Sequence, residues 1–129
     1  MNIKVDLSQL KKYRMVLGNT KVEKHIEGAL KETVMLALRE TKKRTPVVTG
    51  TLRREWKTTP VKKVGNAFTA DLYNDTKYAP YVEYGHRTRG GRGWVEGQYM
   101  MTNGVKQAES VIPRIAKKHL EALKREMKA

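Results

Sequence analysis

"TKVEKHIEGALKETVMLALRETKKRTP", residues 20–46, decides how the rest of the chain can fold. Val22, Ile26, Ala29, Leu30, Val34, Ala37, Leu38 and Thr41 recur with a 3.6-residue period, the pattern of a helix with one buried face. Lys24, Lys31 and Glu32 fall on the opposite face. Thr20 and Glu23 have capping-box spacing and mark the start. At the other end, Lys42, Lys43 and Arg44 complement the negative pole of the helix dipole, and Pro46 biases Thr45 out of helical geometry. A helix of this length needs a partner for its apolar stripe, and the flanking sequence must supply it.

Downstream, the period changes. Thr49-Gly50 is a turn signal, after which Leu52, Arg54, Trp56 and Thr58 alternate with Arg53, Glu55, Lys57 and Thr59. That predicts a strand, interrupted by Pro60 and therefore at an edge or bulged, and resumed from Val61 to Val64. Gly65-Asn66 suits a hairpin turn. Phe68, Ala70 and Leu72 form one apolar face of a second strand, with Thr69, Asp71 and Tyr73 on the other, and Asn74-Asp75 closes it. Tyr78 to Tyr84 is ambiguous, although Pro80 suits a first helical turn and Gly85 a C-terminal cap. Trp94-Val95 is a candidate short strand. From Gln98 onward, Met101, Val105, Ala108, Ile112, Ile115, Leu120, Leu123 and Met127 restore helical spacing, with Gly104 and Pro113 expected to weaken or kink the helix. Upstream, Ser8 is placed to cap a short helix through about Leu17, with Leu10, Tyr13 and Leu17 on one side, before Gly18-Asn19 breaks it. The reading is α+β: a small antiparallel sheet built on a hairpin, packed against a long N-terminal helix and a kinked C-terminal helix, in a single domain over residues 1–129.

The chain carries 27 Lys and Arg against 13 Asp and Glu, a net charge of +14. Residues 1–63 hold 16 basic against 6 acidic side chains, residues 64–97 hold 4 against 4, and residues 98–129 hold 7 against 3. The densest stretch, Arg39 to Lys63, has nine basic and two acidic residues. Such a field draws polyanions: DNA, RNA or acidic protein surfaces. No apolar run approaches the roughly 20 residues of a membrane span, and the N-terminus lacks the apolar core of a secretory signal. With no cysteine, disulfides and thiolate metal sites are excluded, which fits intracellular synthesis.

Catalytic chemistry finds little support. Ser8 and Ser110 are the two serines, and neither sits in a nucleophile elbow. His25, His86 and His119 are far apart and lack metal-ligand spacing. Glu83 beside Tyr84 and His86 offers one carboxylate and one imidazole, too little for an acid–base site. No catalytic residue, metal ligand or cofactor site is expected.

One segment stands apart. "KYAPYVEYGHRTRGGRG", residues 77–93, places three tyrosines and a valine before eight residues with three arginines, three glycines, one histidine and no aliphatic side chain. The glycine-rich part lacks the Gly-Lys-Ser/Thr ending of a phosphate-binding loop. It reads as a flexible basic loop, residues 86–93, whose arginines Arg87, Arg89 and Arg92 await phosphate or carboxylate partners. Tyr78, Tyr81, Val82 and Glu83 would anchor its root, Tyr78, Tyr81 and Val82 by packing on the sheet, and Gly85 would turn the chain outward.

The order of motifs carries a resemblance. "RTPVVTGTLRREW", "YNDTKYAPYVEYGHRTR" and "GWVEGQYMM" follow one another here. This order resembles the tail-completion, or head–tail joining, proteins of long-tailed bacteriophages, a family of minor tail components. That family's pattern is a helix, Thr-Pro-Val, Thr-Gly-x-Leu-Arg, a β-hairpin, an Asn before a Tyr-Ala-x-Tyr-Val-Glu-x-Gly box, an arginine-rich loop and a closing helix. Here the matching residues are Thr45-Pro46-Val47, Thr49-Gly50-Thr51-Leu52-Arg53, Asn74 and Tyr78 to Gly85, over roughly residues 20 to 110. The family's usual Thr after the glycine is His86 in this chain. The resemblance implies a structural virion protein without enzymatic activity, made in the bacterial host cytoplasm. It would be a six-fold ring in the virion, and monomeric alone, between head-connector and tail-tube proteins, with double-stranded DNA passing through the lumen. Two rival readings are a small basic nonspecific nucleic-acid-binding module, favoured by the charge, and a toxin-like ribonuclease. Against the first, no aromatic residue is interleaved with the loop arginines. Against the second, His86 lies in the glycine-rich segment rather than on a rigid sheet.

Overall fold

A computed structural model of the chain describes residues 2–6, 19–47, 49–65 and 67–128. Its first element is a strand, β1 (Asn2–Asp6), which the sequence reading did not anticipate. The alternation of Ile3 and Val5 is a legible strand signal, but five residues are too few to stand out. The short helix expected from Ser8 to Leu17 lies outside the described residues.

The long helix, α1, runs Asn19–Arg44. Val22, Leu30, Val34, Ala37 and Thr41 are buried along one stripe, as the periodicity requires. Next comes a departure from expectation. Thr51–Arg54 form a helical turn, α2, and the strand β2 begins only at Trp56, spanning Trp56–Thr58. Leu52 and Trp56 are both buried in the same cluster while Arg54, expected on their face, is exposed. Spacings of two and of four both bring Leu52 and Trp56 to one side, and only the position of Arg54 separates strand from helix. Gly50 makes the turn possible by holding a φ of 85°, which residues with a side chain avoid.

β3 (Lys62–Val64) and β4 (Ala67–Asn74) complete the sheet. β4 is central and antiparallel to all its neighbours: β1 on one edge, β2 and then β3 along the other. Thr58 pairs with Leu72 and Lys62 with Thr69, so three residues, 59–61, stand opposite two, 70–71. Pro60 thus sits in the bulge that its missing N–H predicts. The Thr59 and Asp71 backbones remain joined there, Thr59 N–H donating to the Asp71 carbonyl at 2.9 Å and Asp71 N–H to Thr59 Oγ1 at 2.8 Å.

The last helix, α4 (Met100–Lys128), is one helix with Pro113 inside it, where a kink or a break was expected. Pro113 lies on the exposed side, as does Glu109, whose carbonyl loses its partner there. α4 lies antiparallel along α1, with Gly104 against Thr41 and His119 beside Gly28. Two apolar clusters form the core. Ala37, Leu52, Trp56, Leu72, Met100 and Val105 contribute to one, and Leu30, Val34, Phe68 and Ala70 form the other between α1 and the sheet. Trp56 and Phe68 are both buried, each in a cluster that includes residues of α1.

Candidate assembly surface

The tyrosine-rich segment folds as a six-residue helix, α3 (Ala79–Tyr84), with Pro80 in its first turn and Gly85 at its end. Helical spacing sorts its side chains. Ala79 and Glu83 are buried, and Val82 packs against the core beside them. Tyr78, Tyr81 and Tyr84, three apart, share the outer face and are exposed, Tyr81 at 59%. The expectation that Tyr78 and Tyr81 pack onto the sheet is therefore corrected. A helical period places them with Tyr84, not with Val82, and the anchoring contacts come from Ala79, Val82 and Glu83.

Glu83 has the most defined role. Its side chain is 3% exposed, and both carboxylate oxygens are engaged at the N-terminus of α4. Oε1 accepts from Met101 N–H at 2.8 Å, and Oε2 accepts from Thr102 N–H at 3.0 Å and from the Thr102 hydroxyl at 2.8 Å. A helix N-terminus presents unpaired N–H groups and a positive pole, and the carboxylate answers both. The sequence offered a Glu in a box of aromatics. Nothing in it pointed to a cap 18 residues away.

From Gly85 the chain leaves the body as a β-hairpin of β5 (Gly85–Arg87) and β6 (Trp94–Glu96), antiparallel, with Arg87 opposite Trp94. The Trp94-Val95 strand is present as expected, and it makes the arm a hairpin rather than an irregular loop at its base. Thr88 closes the tip: its N–H donates to the Gly93 carbonyl at 3.0 Å, and its hydroxyl accepts from Gly93 N–H at 2.9 Å. Gly90 and Gly91 carry φ of 92° and 74°, which this turn demands. At the root, the two strands of the arm come very close. A methyl group on Gly97 would press into the Glu83 carbonyl, and one on Gly85 would lie 2.9 Å from the Gly97 nitrogen. Gln98 N–H then donates to the Val82 carbonyl at 2.7 Å and Tyr99 N–H to that of Glu83 at 3.0 Å, tying the returning strand under α3.

Arg87, Arg89 and Arg92 are all exposed, and none forms an ion pair among the described residues. The strand opposite Arg87 carries exposed Trp94, at 55%, and Val95, and the outer face of α3 adjoining the arm carries exposed Tyr81 and Tyr84. His86 meets Tyr81 edge-on, ring centroids 6.2 Å apart. The arm therefore joins free cations to an aromatic surface, the two residue classes enriched at protein interfaces. Among the described residues, no group of three or more His, Asp or Glu is placed to hold a metal ion. No helix there is long and apolar enough to cross a membrane.

The described residues thus form an α+β body that carries a basic, aromatic arm. A family model described as "Bacteriophage HK97-gp10, putative tail-component" matches residues 8–85. The chain belongs to this family and, with it, to the tail components of bacteriophages, in agreement with the resemblance read from its motifs. No curated protein and no solved structure matches it. The matched segment contains α1, the β2–β4 part of the sheet and α3, and it stops at Gly85, where the arm begins.

Proposed function

We propose that this chain is a structural protein of the phage neck, completing the tail and joining it to the DNA-filled head. The observation that carries the reading is the arm: three unpaired arginines on a hairpin whose base is lined by exposed Tyr81, Tyr84 and Trp94. A tail component works by contacting other virion proteins, and such an arm supplies both charge and area for contact. In this reading the chain acts as one domain. Six copies form a ring between the head-connector and tail-tube proteins, with double-stranded DNA in the lumen. The +14 charge suits a polyanion passing nearby. Residues 86–93 are mobile in the isolated protein and take their final position on assembly.

Replacing Arg87, Arg89 and Arg92 together by alanine tests the reading. The purified variant should melt like wild type, because solvated arginines contribute little to stability. Lysates complemented with it should hold filled heads and finished tails that fail to join, as seen by electron microscopy. Normal joined particles would remove the arm from the mechanism. Nanomolar binding of a DNA duplex at physiological salt would instead favour a nucleic-acid-binding module. Backbone order parameters for residues 86–93 as high as those of α1 would refute the mobile arm.

A further inference from the structure

A second surface, sharing no residue with the arm, lies between α1 and α4. It is an open groove of about 960 Å³. Its apolar lining includes Met35, Leu36, Leu38, Val111 and Ile115, and Met35 is 49% exposed. Cations surround this floor: Arg39, Lys42, Lys43, Arg53 and Arg114. None of these five forms an ion pair or a side-chain hydrogen bond among the described residues, while the acid at the groove's end, Glu32, is held by Lys118 and His119. The α1 side of the groove, from Glu32 to Lys43, spans three helical turns, about 17 Å at 1.5 Å per residue.

We propose that this groove receives an acidic amphipathic helix of another protein. The occupant follows from charge and apolarity together. A basic rim alone would suit DNA, but a phosphodiester backbone leaves the Met35–Leu36–Val111 floor in water. A second copy of this chain brings 27 cations against 13 acids and has no acidic run to offer. A helix with apolar side chains at i, i+3 and i+4 and carboxylates on its flanks covers the floor and meets the rim. Its length on the floor is about three turns, matching the α1 side.

The test is fluorescence anisotropy with a labelled synthetic helix of about three to four turns, leucine on one face and glutamate on the other. A peptide of the same composition with its leucines scattered around the helix is the control, and a short DNA duplex is the competitor. The patterned helix should bind at least about tenfold more tightly than the scattered one. Met35→Asp and Arg39→Glu/Lys43→Glu, both at exposed positions, should each weaken it by a similar factor while melting like wild type. Equal binding of the two peptides, no binding of either, or indifference to Met35→Asp would overturn the proposal. So would a duplex that displaces the helix and loses its own binding in the double variant, which would make the groove a nucleic-acid surface.

Discussion

Single residues carry unusual weight where α3 meets α4. Glu83 gathers three donors from the first turn of α4, so one side chain holds the arm's root and the last helix together. Glu83→Ala leaves two backbone N–H groups and a hydroxyl without their acceptor and should destabilise the protein by about 2–3 kcal/mol in urea unfolding. Glu83→Gln keeps an amide oxygen in place and should recover part of that loss. Equal losses for both would mean that the negative charge, not the acceptor geometry, matters. Trp56 shows the same economy. It is 4% exposed, its indole N–H donates to Thr45 Oγ1 at 2.8 Å, and that hydroxyl donates to the Thr41 carbonyl at 2.7 Å. A buried Trp needs a partner for its N–H, and Thr45, the residue just past the end of α1, provides it. The Thr and the Trp of the motif run are thereby joined by a contact that their spacing alone did not suggest.

At the scale of elements, the α1–α4 pair rests on the absence of a side chain. Gly104 looked like a weak point in a helix. It is instead buried against Thr41, where an added methyl would lie 2.8 Å from the Thr41 nitrogen and 2.9 Å from its Cα. Backbone cannot yield as a flexible side chain can, so Gly104→Ala should cost about 1–3 kcal/mol despite alanine's higher helix propensity. Gly28, in α1, provides the opposite case: a methyl there meets only His119 Cε1 at 3.4 Å, an ordinary contact. Gly28→Ala should stabilise by up to about 1 kcal/mol, and chemical denaturation of the two variants side by side checks both signs. The same helix pair is laced by carboxylates. Hydrogen bonds from Lys118 and then His119 hold the Glu32 carboxyl below its ordinary value of 4.5, and the bond to His25 does the same for Glu126. A lowered carboxyl stabilises the fold above its unfolded value, and that contribution is lost as the pH falls below 4.5 through the lower folded value. Glu32→Gln should therefore flatten the acid limb of the stability–pH curve. At neutral pH it should differ from wild type by less than about 1 kcal/mol, because the pair is exposed. Wild type and variant converging at acid pH is the expected pattern, and an unchanged acid limb would discount the pair.

Over the whole molecule, charge of one sign dominates. A net +14 on 129 residues repels itself, so moderate salt should raise the melting temperature by a few degrees, outweighing the screening of a few exposed pairs. A melting temperature that falls with added salt would show that those ion pairs prevail. Periodicity by itself determined α1, the β4 strand and the α+β class, because burial of one face imposes its period on local sequence, and Pro60, with no N–H to donate, marked an edge or a bulge. The family could also be read locally, since its motifs are runs of neighbouring residues in order. Tertiary structure alone decided the rest. Leu52 and Trp56 suit a strand or a helical turn equally, and packing chose the turn. Tyr78 and Tyr81 are large and aromatic, yet the helical period that starts at the cap residue Tyr78 and carries Tyr81 through α3 turns both outward. Glu83 and Gly104 act on partners 18 and 63 residues away. Capping and close approach depend on distance through space, and a one-dimensional pattern holds no record of it.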